Sequence, residues 1–317
     1  MRFSVGPLCR MTLAPTGGIC KAGAAGLLTL CWVLSGCASA PYRVFDDSAR
    51  ERGLALGEVT AGAFALRTFT TTHTGEPGAR LHIYLDGDGR PFVTPRRIAR
   101  DPTPRAPLVL DLMVSDPQPA IYLGRPCYHG LQTGCDARDW TIARYGPRVV
   151  DALALAVRRT AARHQAREVV LIGYSGGGVL AVLVADRVPE VSAVLTVAAN
   201  LDTDAWTNAH GFSALEGSLN PAELKRVSPA PALHLSGAED QNVPPELIER
   251  YRAAAPDAVF ATVAGFGHVC CWARDWAHWL ARLDAITFPR TERARRSTDP
   301  APPPAGRDAS PGNRRSP

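Results

Sequence analysis

Ser175 is the third residue of Gly173-Tyr174-Ser175-Gly176-Gly177, which follows the apolar run Glu168-Val169-Val170-Leu171-Ile172 and precedes a helix-compatible stretch, Val179 to Arg187. A serine at the tip of a sharp strand-to-helix turn is held in a strained backbone conformation. Its neighbours approach each other closely, and glycine at 173 and 177 removes the Cβ atoms that would collide. The helix that follows aims its N-terminus at the serine, where the N–H of Gly176 can hold a developing oxyanion. A serine hydroxyl is a poor nucleophile at neutral pH. It needs a base within hydrogen-bond reach, and the base needs an orienting carboxylate. A Gly-rich turn that cradles a phosphate has similar local composition, so these five residues need partners to acquire a meaning.

Partners lie downstream. His268, in Gly265-Phe266-Gly267-His268, follows the apolar segment Ala258–Val263 and precedes a closing helix read at Trp272 to Leu283. The other histidines fit less well: His82 and His234 lie within strands, His164 near a helix end, His278 on the last helix, and His73, His129 and His210 in loops. Asp240 stands three residues after Gly237 and just ahead of Val243-Pro244, with Glu239 as the adjacent alternative. Asp202, in Asn200-Leu201-Asp202, follows the preceding strand.

The order serine, acid, histidine, on a strand–turn–helix nucleophile, resembles the α/β-hydrolase superfamily over nearly all of the chain beyond its N-terminal segment. The resemblance implies Ser175 as nucleophile, His268 as base and Asp240 as orienting acid, ahead of Asp202. It also implies a second oxyanion donor after an early strand. Tyr84-Leu85-Asp86-Gly87-Asp88-Gly89-Arg90-Pro91 looks like the superfamily's His-Gly-x-Gly loop, with Asp86 where histidine is usual. Gly87 lets the backbone turn, and the N–H of Asp88 is expected to face the site. Carboxylates at 86 and 88 fall well short of an EF-hand ligand run, so no metal or organic cofactor is expected. Arg90 is placed to pair with Asp86 or Asp88, or to face a negatively charged substrate.

These residues require elements to position them. Ala63 to Thr71 is expected as an edge strand, Leu81–Leu85 and Ala120–Leu123 as short strands, and Pro107 to Ser115 as a short helix. Pro147 to His164 is a helix with Pro147 in its first turn and Val149, Val150, Leu153 and Val157 on one face. Val191–Val197 and Ala232–Leu235 read as buried strands, and Pro244 to Ala254 as a helix. Strands alternating with helices predict an α/β fold, a mostly parallel sheet covered on both faces, and the near-continuous apolar strands agree. Residues 58–288 form this domain. Within it, 201–228 is too long for a simple turn. With Trp206, His210, Phe212 and Leu215 it reads either as a small cap lining an acyl pocket or as a surface excursion.

The N-terminal 36 residues read as an export signal: an apolar run from Ala22 to Leu34 follows Lys21 and is short for a membrane span. Leu34-Ser35-Gly36-Cys37 resembles the lipobox of bacterial lipoproteins, which implies acylation of Cys37 and a membrane anchor. Ala38 after it implies the outer membrane. Cleavage after Ala38-Ser39-Ala40 is the plainer alternative, and Met11 competes with Met1 as the start. Pro41 to Gly57 reads as a tether, 37–57 in all. Export permits disulfides. Of the eight cysteines, Cys127, Cys135, Cys270 and Cys271 remain in the domain. Cys127 and Cys135 bracket a short loop and are the favoured pair, although four cysteines allow three pairings. Residues 289–317, rich in Pro, Arg, Ser and Gly, read as a disordered tail. Net charge is +5 at pH 7, without a basic helix or aromatic platform, and nucleic acid is not expected as a partner. The reading is an envelope-anchored serine hydrolase of carboxylic esters. An acyltransferase, thioesterase or peptidase with the same triad, or a non-catalytic binding scaffold, are its alternatives.

Overall fold

The structure is a computed structural model that describes residues 40–72, 80–130, 134–224 and 228–287. The export signal, Cys37 and the 289–317 tail lie outside the described residues. Among those described, no helix is long and apolar enough to cross a membrane.

Ten strands and seven α-helices are described. An eight-stranded sheet runs β1 (Ala55–Ala61), β2 (Phe64–Thr70), β6 (Ala120–Leu123), β3 (Arg80–Leu85), β7 (Glu168–Tyr174), β8 (Val191–Val197), β9 (Ala232–Gly237), β10 (Val259–Val263). Strand β2 pairs antiparallel with both β1 and β6, and every other pairing is parallel. Two short strands, β4 (Phe92–Thr94) and β5 (Arg97–Ile98), form a separate antiparallel hairpin. The helices are α1 (Pro41–Glu51), α2 (Leu108–Val114), α3 (Pro147–Arg163), α4 (Gly176–Ala185), α5 (Thr203–Ala209), α6 (Glu249–Ala254) and α7 (Trp276–Thr287).

Two apolar cores lie on the two faces of the sheet. One gathers α3 and α4 around Leu81, Ile83, Leu85, Val169 and Leu171. The other sets α1, α2 and α7 against Tyr84, Tyr122, Val170, Ile172 and Leu195. Alternate residues of β3 and β7 therefore face opposite cores, as burial on both faces demands. Helix α4 is buried along its whole length, which explains its uniformly apolar sequence.

Four boundaries differ from expectation. The helix expected over Pro244 to Ala254 divides into a 3₁₀ turn, Pro245–Ile248, and α6. The edge strand is β1, and Phe64–Thr70 lies inside it, paired on both sides. The segment read as a tether contains α1 and the start of β1. Pro41 opens the helix, and Phe45 and Ala49, one turn apart, are buried against the second core. The closing helix starts at Trp276, not Trp272. Trp272 is buried in the loop ahead of it, and its Nε1 donates to the carbonyls of Gly267 and His268. Below the sheet, Trp276 Nε1 donates to the Tyr84 hydroxyl at 2.9 Å, which donates to Asp116 at 2.6 Å. His82 meets the same carboxylate at 2.6 Å.

Candidate active site

The elbow forms where β7 ends against α4. Ser175 has φ 51° and ψ −125°, a region that non-glycine residues enter only when their surroundings hold them there. Its N–H is tied to the carbonyl of Val197 at 2.8 Å, at the end of the neighbouring strand. A Cβ on Gly173 would fall on the Gly177 carbonyl, and one on Gly177 would fall on the carbonyls of Leu85 and Asp86. The glycines thus let the turn close on itself and let α4 start against the end of β3.

His268 stands on the loop after β10, with Nε2 3.1 Å from Ser175 Oγ and Nδ1 2.8 Å from Asp240 Oδ2. Asp240 is buried in the loop after β9. Its other oxygen accepts from the N–H groups of Asn242 and Val243, both at 2.8 Å. Burial raises the Asp240 pKa, but hydrogen bonds from His268 and those two N–H groups outweigh it and hold the group below its ordinary value. Asp202 is elsewhere: it caps α5 through the Ala205 N–H and takes a bidentate pair from Arg250 at 2.6 and 2.7 Å. Glu239 is exposed. Four of the remaining described histidines have other polar contacts: His82 with Asp116, His129 with Tyr122, His234 with Thr196, and His210 with the Asn242 carbonyl.

The Asp86–Arg90 loop lies against the serine. A Cβ on Gly87 would sit 3.3 Å from Ser175 Cβ, and one on Gly176 would overlap Asp88 Oδ1. Among the described residues, neither the Asp88 N–H nor the Gly176 N–H donates to another protein group. The Asp88 carboxylate is gripped from outside the loop. Arg125 meets Oδ1 at 2.5 Å, Arg144 and Tyr145 meet Oδ2 at 2.8 and 2.6 Å, and the Tyr128 hydroxyl donates to the Asp88 carbonyl at 2.9 Å. Burial alone would raise the Asp88 pKa, yet the two guanidinium groups and the tyrosine hydroxyl hold it well below the carboxylate range. Asp86, two residues earlier, has the opposite environment. It is 3% exposed, Oδ1 accepts from the Gly87 N–H at 2.7 Å, and Oδ2 has no partner among the described residues. Burial pushes it up to about 7 against the pull of that N–H and of Arg125.

Arg90 does not pair with Asp86 or Asp88; it points to the Val93 carbonyl. Arg125, Arg144 and Tyr145, which take that role, were not singled out by sequence. A usable signal existed for Arg125: a charge in Gly124-Arg125-Pro126, directly past the carboxyl end of β6, lies at the sheet end where α/β ligand sites form. Asn242 was also missed. Its side-chain nitrogen is 3.1 Å from His268 Nε2, and its carbonyl accepts from Trp206 Nε1 at 3.1 Å and from His210 at 2.7 Å. The 201–228 excursion is thereby fastened beside the histidine, with Trp206, His210 and Phe212 in mutual ring contact. Cys127 joins Cys135, with Cα atoms 5.6 Å apart, and Cys270 joins Cys271. Among the described residues no three His, Cys, Asp or Glu side chains cluster as metal ligands.

No family model matches the chain, and no curated protein matches it. Solved structures do. An esterase of Pyrococcus furiosus superposes with a TM-score of 0.55 at 13% identity, covering 75% of this chain and 92% of that one. Est1E of Butyrivibrio proteoclasticus gives 0.52 at 12% identity, over 73% and 99%. A bacterial membrane phospholipase A gives 0.50 at 16%, over 78% and 92%. At such identities the likeness concerns architecture alone. Together with the sheet order and the single antiparallel strand β2, it makes this chain an α/β-hydrolase fold.

Proposed function

We propose that this protein is a serine hydrolase of carboxylic esters. The observation that carries the reading is the continuous line from Ser175 Oγ through His268 to the buried Asp240, with hydrogen bonds of 3.1 and 2.8 Å. Ser175 Oγ attacks the ester carbonyl while His268 Nε2 takes its proton, and Asp240 steadies the imidazolium that forms. The N–H groups of Gly176 and Asp88 receive the oxyanion. Collapse expels the alcohol, protonated by His268, and leaves an acyl-serine. Water, deprotonated by the same histidine, attacks it and releases the acid. These steps use only groups of the chain and water.

The test is labelling with a fluorophosphonate, which phosphonylates activated serines. The purified protein is expected to label, and Ser175→Ala to abolish labelling together with hydrolysis of p-nitrophenyl esters. Labelling that survives the substitution sinks the assignment. Rates across esters of rising acyl length then define the pocket.

We also propose that the chain is exported and anchored through an acylated Cys37 to the bacterial envelope, at the periplasmic side of the outer membrane. The lipobox-like Leu34-Ser35-Gly36-Cys37 supports this. More than one acyl chain gives firm anchoring where a single chain is marginal. An intact mass of the mature protein without acyl chains refutes it.

A further inference from the structure

The hairpin β4–β5 grows out of the Asp86–Arg90 loop. It begins four residues after Asp88, stands apart from the main sheet, and is closed at its base by bonds from the Ala99 N–H to Pro91 O, 2.8 Å, and from the Arg90 N–H to Pro102 O, 2.9 Å. Its apolar side chains are only partly covered by the protein. Phe92, Val93 and Ile98 are 37%, 36% and 44% exposed, and Phe92 and Ile98 oppose each other across the two strands. The same short segment is strongly basic. Arg90, Arg96, Arg97, Arg100 and Arg105 are all exposed, against one acid, Asp101. Asp101 is engaged by the Tyr42 N–H and by Thr103. Among the described residues none of the five arginines forms an ion pair.

We propose that this hairpin is a docking surface for an anionic phospholipid bilayer. Three exposed apolar side chains on a two-stranded ribbon cost free energy in water and gain it at the boundary of head groups and acyl chains. Unpaired arginines around them match a surface of lipid phosphates, and each basic residue close to such a surface adds attraction. The long arginine stems can lie along the apolar zone while their guanidinium groups stay at head-group level. A soluble polyanion accounts for the arginines and leaves Phe92, Val93 and Ile98 without a role. A second observation points the same way and rests on the anchored reading proposed above. The described chain begins at Ala40, which lines one pocket together with Ile98 and Arg100. An acyl anchor three residues earlier in sequence would bring this hairpin, and with it the oxyanion loop, to the bilayer.

The test is flotation of the full chain with vesicles of phosphatidylcholine alone and of phosphatidylcholine with roughly one-third phosphatidylglycerol, at low and high salt. An acyl anchor binds both compositions alike, so the difference between them isolates the charge-dependent part. The chain is expected to prefer the phosphatidylglycerol vesicles at low salt. R96E/R97E is expected to weaken that preference by about tenfold, and the uncharged F92S/V93S to weaken binding to the same vesicles, with melting temperatures and fluorophosphonate labelling unchanged for both. No preference for the anionic vesicles, or one that survives R96E/R97E, overturns the proposal. A preference lost in R96E/R97E with binding to the anionic vesicles intact in F92S/V93S leaves the apolar side chains without a role, as a soluble polyanion would, and overturns the bilayer. Loss of labelling in the unsubstituted chain would count against the hydrolase reading and leave the vesicle result standing.

Discussion

The two walls of the site are built on different principles. On one wall, Ser175, Asp240 and His268 stand on loops at the ends of β7, β9 and β10, and among the described residues the side chains of this line meet one another, two backbone N–H groups and the Asn242 amide. On the other wall, the Asp86–Arg90 loop is held by a largely buried ion cluster: Asp88 between Arg125 and Arg144, with Tyr145 as a third donor. On the proposed reading, the first wall concentrates chemistry in Ser175 and His268, and Asp240 alone of the three is a buried, charged member whose bonds also support the fold. The second commits buried charge to a loop whose proposed contribution is a backbone N–H. Removing Ser175 should therefore cost activity alone, and removing a part of the second wall both activity and stability.

Ser175→Ala offers the largest separation. Loss of a nucleophile that works as a unit with its base is expected to lower kcat by about 10⁵-fold or more, with the thermal midpoint held or slightly raised. A drop of many degrees would break the contrast. Arg125→Met comes next. It leaves part of the Asp88 charge uncompensated in a buried setting, which typically costs about 3–5 kcal/mol, measurable by urea unfolding, and kcat should fall with it. Arg125→Lys should recover part of the stability and less of the rate, because one ammonium cannot reproduce the two contacts that guanidinium makes to Asp88 and to the Arg144 carbonyl.

The carboxylate pair on the Asp86–Arg90 loop sharpens the contrast through pH. Asp86 has a folded pKa of about 7, above its unfolded value. The folded state therefore binds the proton more tightly, and this group's contribution to stability declines as pH rises from about 4 through about 7, by at most about 4 kcal/mol. Asp88 and Asp240 have the reverse sign. Their folded pKa values are depressed, so their contributions are present above the ordinary carboxylate range and are lost as pH falls below it. Asp86→Asn imitates the protonated form and is expected to flatten the loss between pH 4 and 7 in denaturation curves. An unchanged curve would place the titration elsewhere.

The smallest effect concerns Asn242, whose side-chain nitrogen approaches the same His268 nitrogen as Ser175 does, each at 3.1 Å. Asn242→Ala removes the competing donor and keeps the backbone carbonyl that fastens Trp206 and His210. Acylation measured in single turnovers is expected to rise about two- to threefold, the worth of part of one hydrogen bond. A fall would mean that the amide oxygen faces the imidazolium.

The two walls also differ in how far they could be read from sequence. Each position of the proposed triad carries a local mark: glycines around Ser175, Gly237 with Val243-Pro244 around Asp240, Gly265 and Gly267 before His268. These marks exist because each side chain must leave a strand end through a tight turn. The Asp88 cluster has no such mark. Arg125 and Arg144 are 37 and 56 residues away along the chain, and a buried arginine looks like a solvated one until its partner is known. Similar logic explains α1, which reads as a tether because Phe45 and Ala49 are its principal buried apolar side chains amid Arg43, Asp46, Asp47 and Arg50. A stripe that narrow falls below what periodicity can detect. Membership of β2 in the sheet interior was equally hidden, since strand order is set by crossovers and not by the strand's own residues.

The bond from Trp276 to Tyr84 spans 192 residues. Tyr84 sits on the strand that leads into the Asp86–Arg90 loop, and Trp276 on the last described helix. A chain that emerges N-terminus first must wait for nearly its whole described length before β3 receives this donor. Contacts of such separation slow folding and prolong exposure of apolar strands. A fragment ending before α7 should therefore be prone to aggregation, and refolding of the intact domain should be paced by the docking of its final helix.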